Sequence, residues 1–319
     1  MKIDAEPAQG GGYRFGGHQS FALRFPWLPK AVAAIEAGED VFTDPVRGVV
    51  DLGLGKNMVE ALRCWIEAYG VASRQDAWAL TPEGEAIFGT SGRDPFLEDV
   101  QTMWWLHWTI STAATGRFFA WEYLVNRSVE PTFTPSGTVA AFLDEAERTG
   151  RRLSPVSARQ HFDVWLHTYL PSGSGRGEDG LDSPLASLRL VALAGEREAT
   201  GGRREPMYAF DRLPKRGLGQ GMFRYALSKW WDACQPDEET APLREIAFAK
   251  GGPGQVFRLS EHETFARLED LAARPEAGFE LRESNVQTTV RRVGTVPVDA
   301  MLRDVYGWRD APVAGMGDA

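Results

Sequence analysis

Between Phe15 and Lys30 the sequence FGGHQSFALRFPWLPK sets His18, Gln19, Ser20, Arg24 and Lys30 among Phe15, Phe21, Leu23, Phe25 and Trp27. These polar types cover the parts of a phosphodiester reaction. A histidine such as His18 is suited to act as general base near neutral pH. Ser20, or a tyrosine, is a candidate covalent nucleophile. Arg24 and Lys30, joined by Lys56, have the charge to clamp a phosphate. The pairs Gly11-Gly12 and Gly16-Gly17 free the backbone for a close approach or a turn. Large apolar neighbours can hold such donors rigid. His18, Ser20, Arg24 and Lys30 are therefore the expected catalytic set. The plainer alternative is an arm that ties two helices together.

Phosphodiester hydrolysis usually also takes a divalent metal. Magnesium or manganese would need one or two carboxylates, with water filling the other positions. Asp94, Glu98 and Asp99 form one such cluster, with His107 two turns further along. The structural alternative is that acids at a helix start complement its dipole, and that a histidine inside WWLHW belongs to the core. Glu178, Asp179 and Asp182 form a second cluster, in a Gly/Ser-rich loop near Asp163 and His167 in sequence. Its alternative is a solvated loop ahead of a helix capped by Ser183. There is no HNH, GIY-YIG, HKD or PD-(D/E)XK pattern. GLGKN at 53–57 lacks the glycine spacing and the Lys-Ser/Thr of a P-loop, so ATP hydrolysis is not expected.

The elements that would position these groups follow from periodicity. Lys30–Ala37 reads as a short helix and Val49–Leu54 as an apolar link. Lys56–Tyr69 reads as an amphipathic helix, with Val59, Leu62, Trp65, Ile66 and Tyr69 on one face and Gly70 at the C-cap. Trp78-Ala79-Leu80 is a strand, and Thr81-Pro82-Glu83 opens a further helix. Helix, turn, helix and short hairpin outline a winged helix-turn-helix. In such a unit the early residues of the second helix reach the bases: here Lys56, Asn57, Glu60 and Arg63. Asn and Arg pair with adenine and guanine edges. Lys56, Asn57 and Arg63 are the expected DNA contacts, against the alternative of a winged helix used only for protein contacts.

Further along, Leu97–Thr112 is apolar nearly all round and should be buried. Phe118–Asn126 and Thr138–Arg148 are helices. Ser154-Pro155 starts another, to Tyr169, with Arg159, Asp163 and His167 in a polar row. Two strands around Thr200-Gly201-Gly202 follow a short helix at Leu185–Leu190, repeating the helix-then-wing order. Gln220–Cys234, Ala241–Lys250 and Ser260–Ala273 read as helices, Gln255–Leu259 as a strand and Phe279–Arg292 as a hairpin. The expected class is mainly α with small β hairpins: tandem winged-helix-like units and a C-terminal α+β region. The expected divisions are 1–150, 151–235, 236–307 and a disordered tail at 308–319.

A chain of 319 residues suits two or three domains. Its formal charge of −9 argues against an indiscriminate DNA coat, though basic residues can still cluster on one face. Cys64 and Cys234 lie far apart among aromatics, so they read as small buried hydrophobes rather than a disulfide or zinc site. No apolar run reaches membrane-spanning length and the start MKIDAEPAQG lacks a signal-peptide core, so a cytoplasmic protein without a membrane partner is expected.

FGGHQSFALRFPWLPK, LGLGKNMVEALRCW at 52–65, LTPEGEAIF at 80–88, DPFLEDVQTMWWLHW at 94–108 and EDGLDSPLASL at 178–188 occur in that order. Together they resemble the SspB-like family, long catalogued as a domain of unknown function beside sulfurtransferase-like genes in bacterial DNA phosphorothioation loci. The resemblance implies a DNA-nicking component that opens the backbone for sulfur incorporation in antiphage defence. The implied partners are DNA and a cysteine desulfurase, an ATP pyrophosphatase and an ATPase. It supplies no catalytic set for individual residues. The leading expectation is thus a DNA-binding nicking endonuclease subunit, with a divalent metal. The alternative is a non-catalytic DNA-binding adaptor, or a transcriptional regulator, that recruits the sulfur-transfer enzymes.

Overall fold

The computed structural model describes residues 12–114, 116–171, 183–199, 202–284 and 287–307. Capping dictates many of its helix starts. Asp44, Thr81, Thr134 and Ser154 each accept a backbone N–H of the first turn, and each precedes a proline whose missing N–H costs nothing there. The chain divides into two units, 1–211 and 212–319.

In the first unit, α1 (Trp27–Glu36), α2 (Pro45–Leu52) and α3 (Lys56–Ala68) precede an antiparallel hairpin of β1 (Ala72–Arg74) and β2 (Trp78–Leu80). Then come α4 (Pro82–Phe88) and α5 (Val100–Thr112). α6 (Phe119–Trp121) runs on into a π-helical stretch, Glu122–Arg127. β3 (Thr132–Phe133), α7 (Pro135–Arg148), α8 (Pro155–Tyr169), a 3-10 turn at Pro184–Leu188, β4 (Val191–Glu198) and β5 (Arg204–Phe210) complete it. α5 is buried almost all round, as its composition requires: Met103 to Trp108 are all inside. Trp27, Trp65, Trp105, Trp121 and Trp165 are each almost fully buried, and burial of large apolar side chains is worth roughly 2–3 kcal/mol apiece.

In the second unit, α9 (Gln220–Cys234) is followed by β6 (Thr240–Pro242), α10 (Leu243–Phe248), α11 (Pro253–Phe257) and α12 (Glu261–Ala272). β7 (Phe279–Glu283), β8 (Thr288–Arg292) and α13 (Val298–Gly307) close it. Its antiparallel sheet has the order β6–β8–β7; the first unit's sheet runs β3–β5–β4. Each sheet therefore has its third strand in the middle, and each sends helices across between its first and second strands. One topology is used twice.

The architecture is mainly α with small antiparallel sheets, as expected. Several local readings change. Val49–Leu54 is no link: Asp44 caps a helix that includes Val49 to Leu52, and left-handed Gly53 ends it. Gln255–Leu259 is no strand: Pro253 starts α11, and Arg258 at φ 59° ends it. The helix expected from Ala241 starts at Leu243, because Thr240–Pro242 pairs with β8. Cys64 is buried, but Cys234 is exposed at the end of α9. Thr132–Phe133 pairs with Tyr208–Ala209, so one sheet spans the expected boundary at 150. The expected tail at 308–319 lies outside the described residues. Among the described residues, no helix is long and apolar enough to cross a membrane.

Candidate nucleic-acid interface

α3 owes its exposed start to two glycines. Gly53 turns the chain at φ 62°, and Gly55 sits at the N-cap of α3. Val59, Leu62, Trp65 and Ile66 go into the core. Lys56, Asn57 and Arg63 stay exposed, and among the described residues none of the three has a side-chain hydrogen bond or ion pair. Glu60 lies between them, half-buried. Phe42, Thr43, Lys56, Val59, Glu60 and Arg63 line a cavity of about 180 Å³.

The arm at Phe15–Lys30 positions this face. Gln19 holds φ 52°, a left-handed conformation uncommon for a side-chain-bearing residue. Its Nε2 donates to Glu60 Oε2 at 2.8 Å. What fixes Gln19 is His18, which is 1% exposed. The hydrogen-bond order settles both histidine tautomers. The Ala120 N–H donates to His161 Nε2 at 3.0 Å, so that nitrogen is unprotonated. His161 Nδ1–H then donates to His18 Nε2 at 2.8 Å, and His18 Nδ1–H donates to the Gln19 carbonyl at 2.9 Å. The two rings are coplanar within 3°, and Trp65 stacks on His18 at 5.6 Å. Burial lowers the His18 pKa to about 4 and pushes that of His161 well below its ordinary value. Both rings are therefore neutral at pH 7. Hydrogen bonds run from α6, through α8, to the backbone of Gln19 in the arm, whose side chain in turn donates to the carboxylate on α3.

His18 thus holds the arm rather than facing solvent as a base, because both its ring nitrogens are used inside the protein. Ser20 is exposed. The Arg24 guanidinium lies against Phe21 and Trp27, at 5.6 and 5.7 Å from the ring centres. Lys30 Nζ donates to the Leu52 carbonyl at 2.8 Å, closing the end of α2. Arg14 Nη2 donates to Cys64 Sγ at 3.1 Å, while burial raises that thiol's pKa to about 11. Sequence reasoning misses His161. The signal is its place three residues after Ala158 and four before Trp165, on the buried stripe of α8.

The family described as protein of unknown function, DUF4007, matches residues 15–306. The chain belongs to the DUF4007 family. Among solved structures it is similar to an SspB crystal structure at 25% identity, with a TM-score of 0.76 over 91% of this chain and 87% of the other. It is also similar to a magnesium ion-bound SspB crystal structure at 24% identity, with a TM-score of 0.77 over the same shares. The chain is SspB-like. No curated protein matches it.

In this DUF4007 chain the expected metal cluster does not fit a cation. Asp94 is 5% exposed. Its carboxylate accepts from the Glu98 N–H at 2.7 Å, the Asp99 N–H at 3.0 Å and the Thr102 hydroxyl at 2.5 Å. Asp99 is the N-cap of α5 and accepts from the Gln101 N–H. These oxygens face donors, as a capping set does. His107 Nδ1 bonds the Tyr169 hydroxyl at 2.7 Å inside the core, where burial raises the Tyr169 pKa. Among the described residues no group of three His, Cys, Asp or Glu could hold a metal. Glu178, Asp179 and Asp182 of the second cluster lie outside the described residues; Asp163 pairs with Arg159 at 2.8 Å.

Proposed function

We propose that the chain is the DNA-binding component of a DNA phosphorothioation machine, with α3 laid against the duplex. The observation that carries this is the exposed face of Lys56, Asn57 and Arg63, whose donors no other described group uses. Two cations and an amide together on one exposed helix face suit phosphate oxygens and base edges. The order α1–α2–α3–β1–β2 supports reading this part as a winged helix-turn-helix, with α3 as its recognition helix. The resemblance to SspB adds the setting: a cysteine desulfurase, an ATP pyrophosphatase and an ATPase as partners. The test is fluorescence anisotropy with a labelled duplex at low salt. Lys56→Ala with Arg63→Ala should weaken binding about tenfold or more, since each removes one phosphate contact. Unchanged affinity would overturn the assignment of α3.

A second reading, that the chain itself nicks DNA with magnesium, is suggested by the magnesium ion in one SspB crystal structure of this fold. A supercoiled plasmid incubated with magnesium, manganese or chelator decides it: metal-dependent open-circle product supports intrinsic nicking. Intact plasmid with a retained gel shift supports the adaptor.

A further inference from the structure

The cavity at the start of α3 is the one feature of this face that phosphate binding leaves unexplained. Its volume is about 180 Å³. A cavity of about 150 Å³ is enough to hold benzene, so this one has room for a single six-membered ring with small substituents. A fused purine is larger. The floor is apolar: Phe42 and Val59 are both buried, and Phe42 is backed by Trp78 with ring centres 5.1 Å apart. The rim is polar. Glu60 offers a carboxylate with one oxygen held by Gln19, and among the described residues its other oxygen accepts no hydrogen bond. Lys56 and Arg63 stand one helical turn to either side of it.

We propose that this cavity receives the pyrimidine base of a nucleotide turned out of the DNA stack. The inference rests on the DNA-binding reading above and deepens it. An apolar floor suits a ring face. A fixed carboxylate acceptor suits the cytosine N4 amino group, whose pairing N–H is freed when the base leaves its partner, or the thymine N3–H, which is available only then. Lys56 and Arg63 are placed to take the phosphates on the two sides of the turned-out nucleotide. The Ala120–His161–His18–Gln19 chain keeps the Glu60 acceptor fixed before DNA arrives, which saves the ordering cost on binding. A free pyrimidine nucleotide has the same chemistry, so the experiment separates the two sources.

The full chain is titrated by anisotropy with three labelled duplexes: fully paired, one pyrimidine opposite an abasic site, and one purine opposite an abasic site. The unpaired pyrimidine should bind about tenfold tighter than the other two, because the cost of extracting it is already met. Thr43→Trp, which places a bulky group at the exposed mouth, should abolish that preference and keep the paired-duplex affinity. Glu60→Ala should weaken the preference as well, read as the ratio of unpaired-pyrimidine to paired-duplex affinity in the same variant. Equal affinity for the three duplexes, a purine preference, or a preference that survives Thr43→Trp and Glu60→Ala would overturn the inference. dCMP or dTMP competing as strongly as the unpaired-pyrimidine duplex would make a free nucleotide the ligand and overturn the DNA source. The two readings fail separately. Paired-duplex binding that still depends on Lys56 and Arg63, without a pyrimidine preference, removes the cavity inference alone. No duplex binding at low salt removes both.

Discussion

Between pH 6.5 and pH 4 the fold is expected to lose about 3 kcal/mol of stability through His18 alone. The pKa of His18 falls from 6.5 in the ordinary state to about 4 in the folded one, because burial penalises its charged form. In that window the unfolded chain takes up a proton that the folded chain refuses, so stability rises with pH and is complete above about 6.5. His161 acts in the same direction. Protonating either ring also breaks the relay: His161 Nε2 would gain a proton facing the Ala120 N–H, and His18 Nε2 one facing His161 Nδ1–H. The check is urea unfolding followed by tryptophan fluorescence from pH 7.5 down to pH 4.5. The carboxylates with lowered pKa, Glu36, Glu145 and Glu205, release their contribution only at the acid end of that range and below, since their ordinary value is 4.5. A double variant, His18→Phe with His161→Phe, should flatten the profile above pH 5. A profile already flat in the native chain would show that the pair is not buried and neutral.

Asp94→Ala should cost about 3 kcal/mol, through one buried and two half-buried donors left without an acceptor. The loss falls on the start of α5, the helix whose Trp104, Trp105, His107 and Trp108 fill the middle of the first unit. A melting temperature lower by roughly 6–12 °C is the expected reading for a unit of this size. Asp94→Asn keeps one carbonyl acceptor and should lose less. A metal-ligand role predicts the opposite pattern, with stability unchanged by Asp94→Ala and metal-dependent activity abolished.

What the sequence made legible was local. The cap-and-proline pairs Thr81-Pro82 and Ser154-Pro155 placed α4 and α8, and the apolar stripe from Val59 to Ile66 placed α3 within a residue at its end. The spacing of Arg159 and Asp163 became an ion pair. The Phe279–Arg292 hairpin formed. What stayed hidden was non-local. His18 looks like a general base because its partner, His161, is 143 residues away. Asp94 and Glu98 look like ligands because four-residue spacing is the same for a metal site as for a loop that folds back to cap the next helix. Gln255–Leu259 reads as extended until Pro253 starts a turn of helix there. Glu60 stood among the expected base-reaching residues, yet what fixes it, Gln19 at φ 52°, is a backbone state that composition does not announce.

On the reading proposed for it, α3 is a phosphate-binding face. The direct measurement is the salt dependence of duplex affinity for the native chain and for Lys56→Ala with Arg63→Ala. Each phosphate left without its cation should reduce the slope of log K against log salt by about 0.9, so the double variant should be shallower by about two. Far-ultraviolet circular dichroism should be the same for both proteins, since both side chains are exposed. Equal slopes and equal affinities would mean that DNA, if bound, meets another surface, and would contradict the claim.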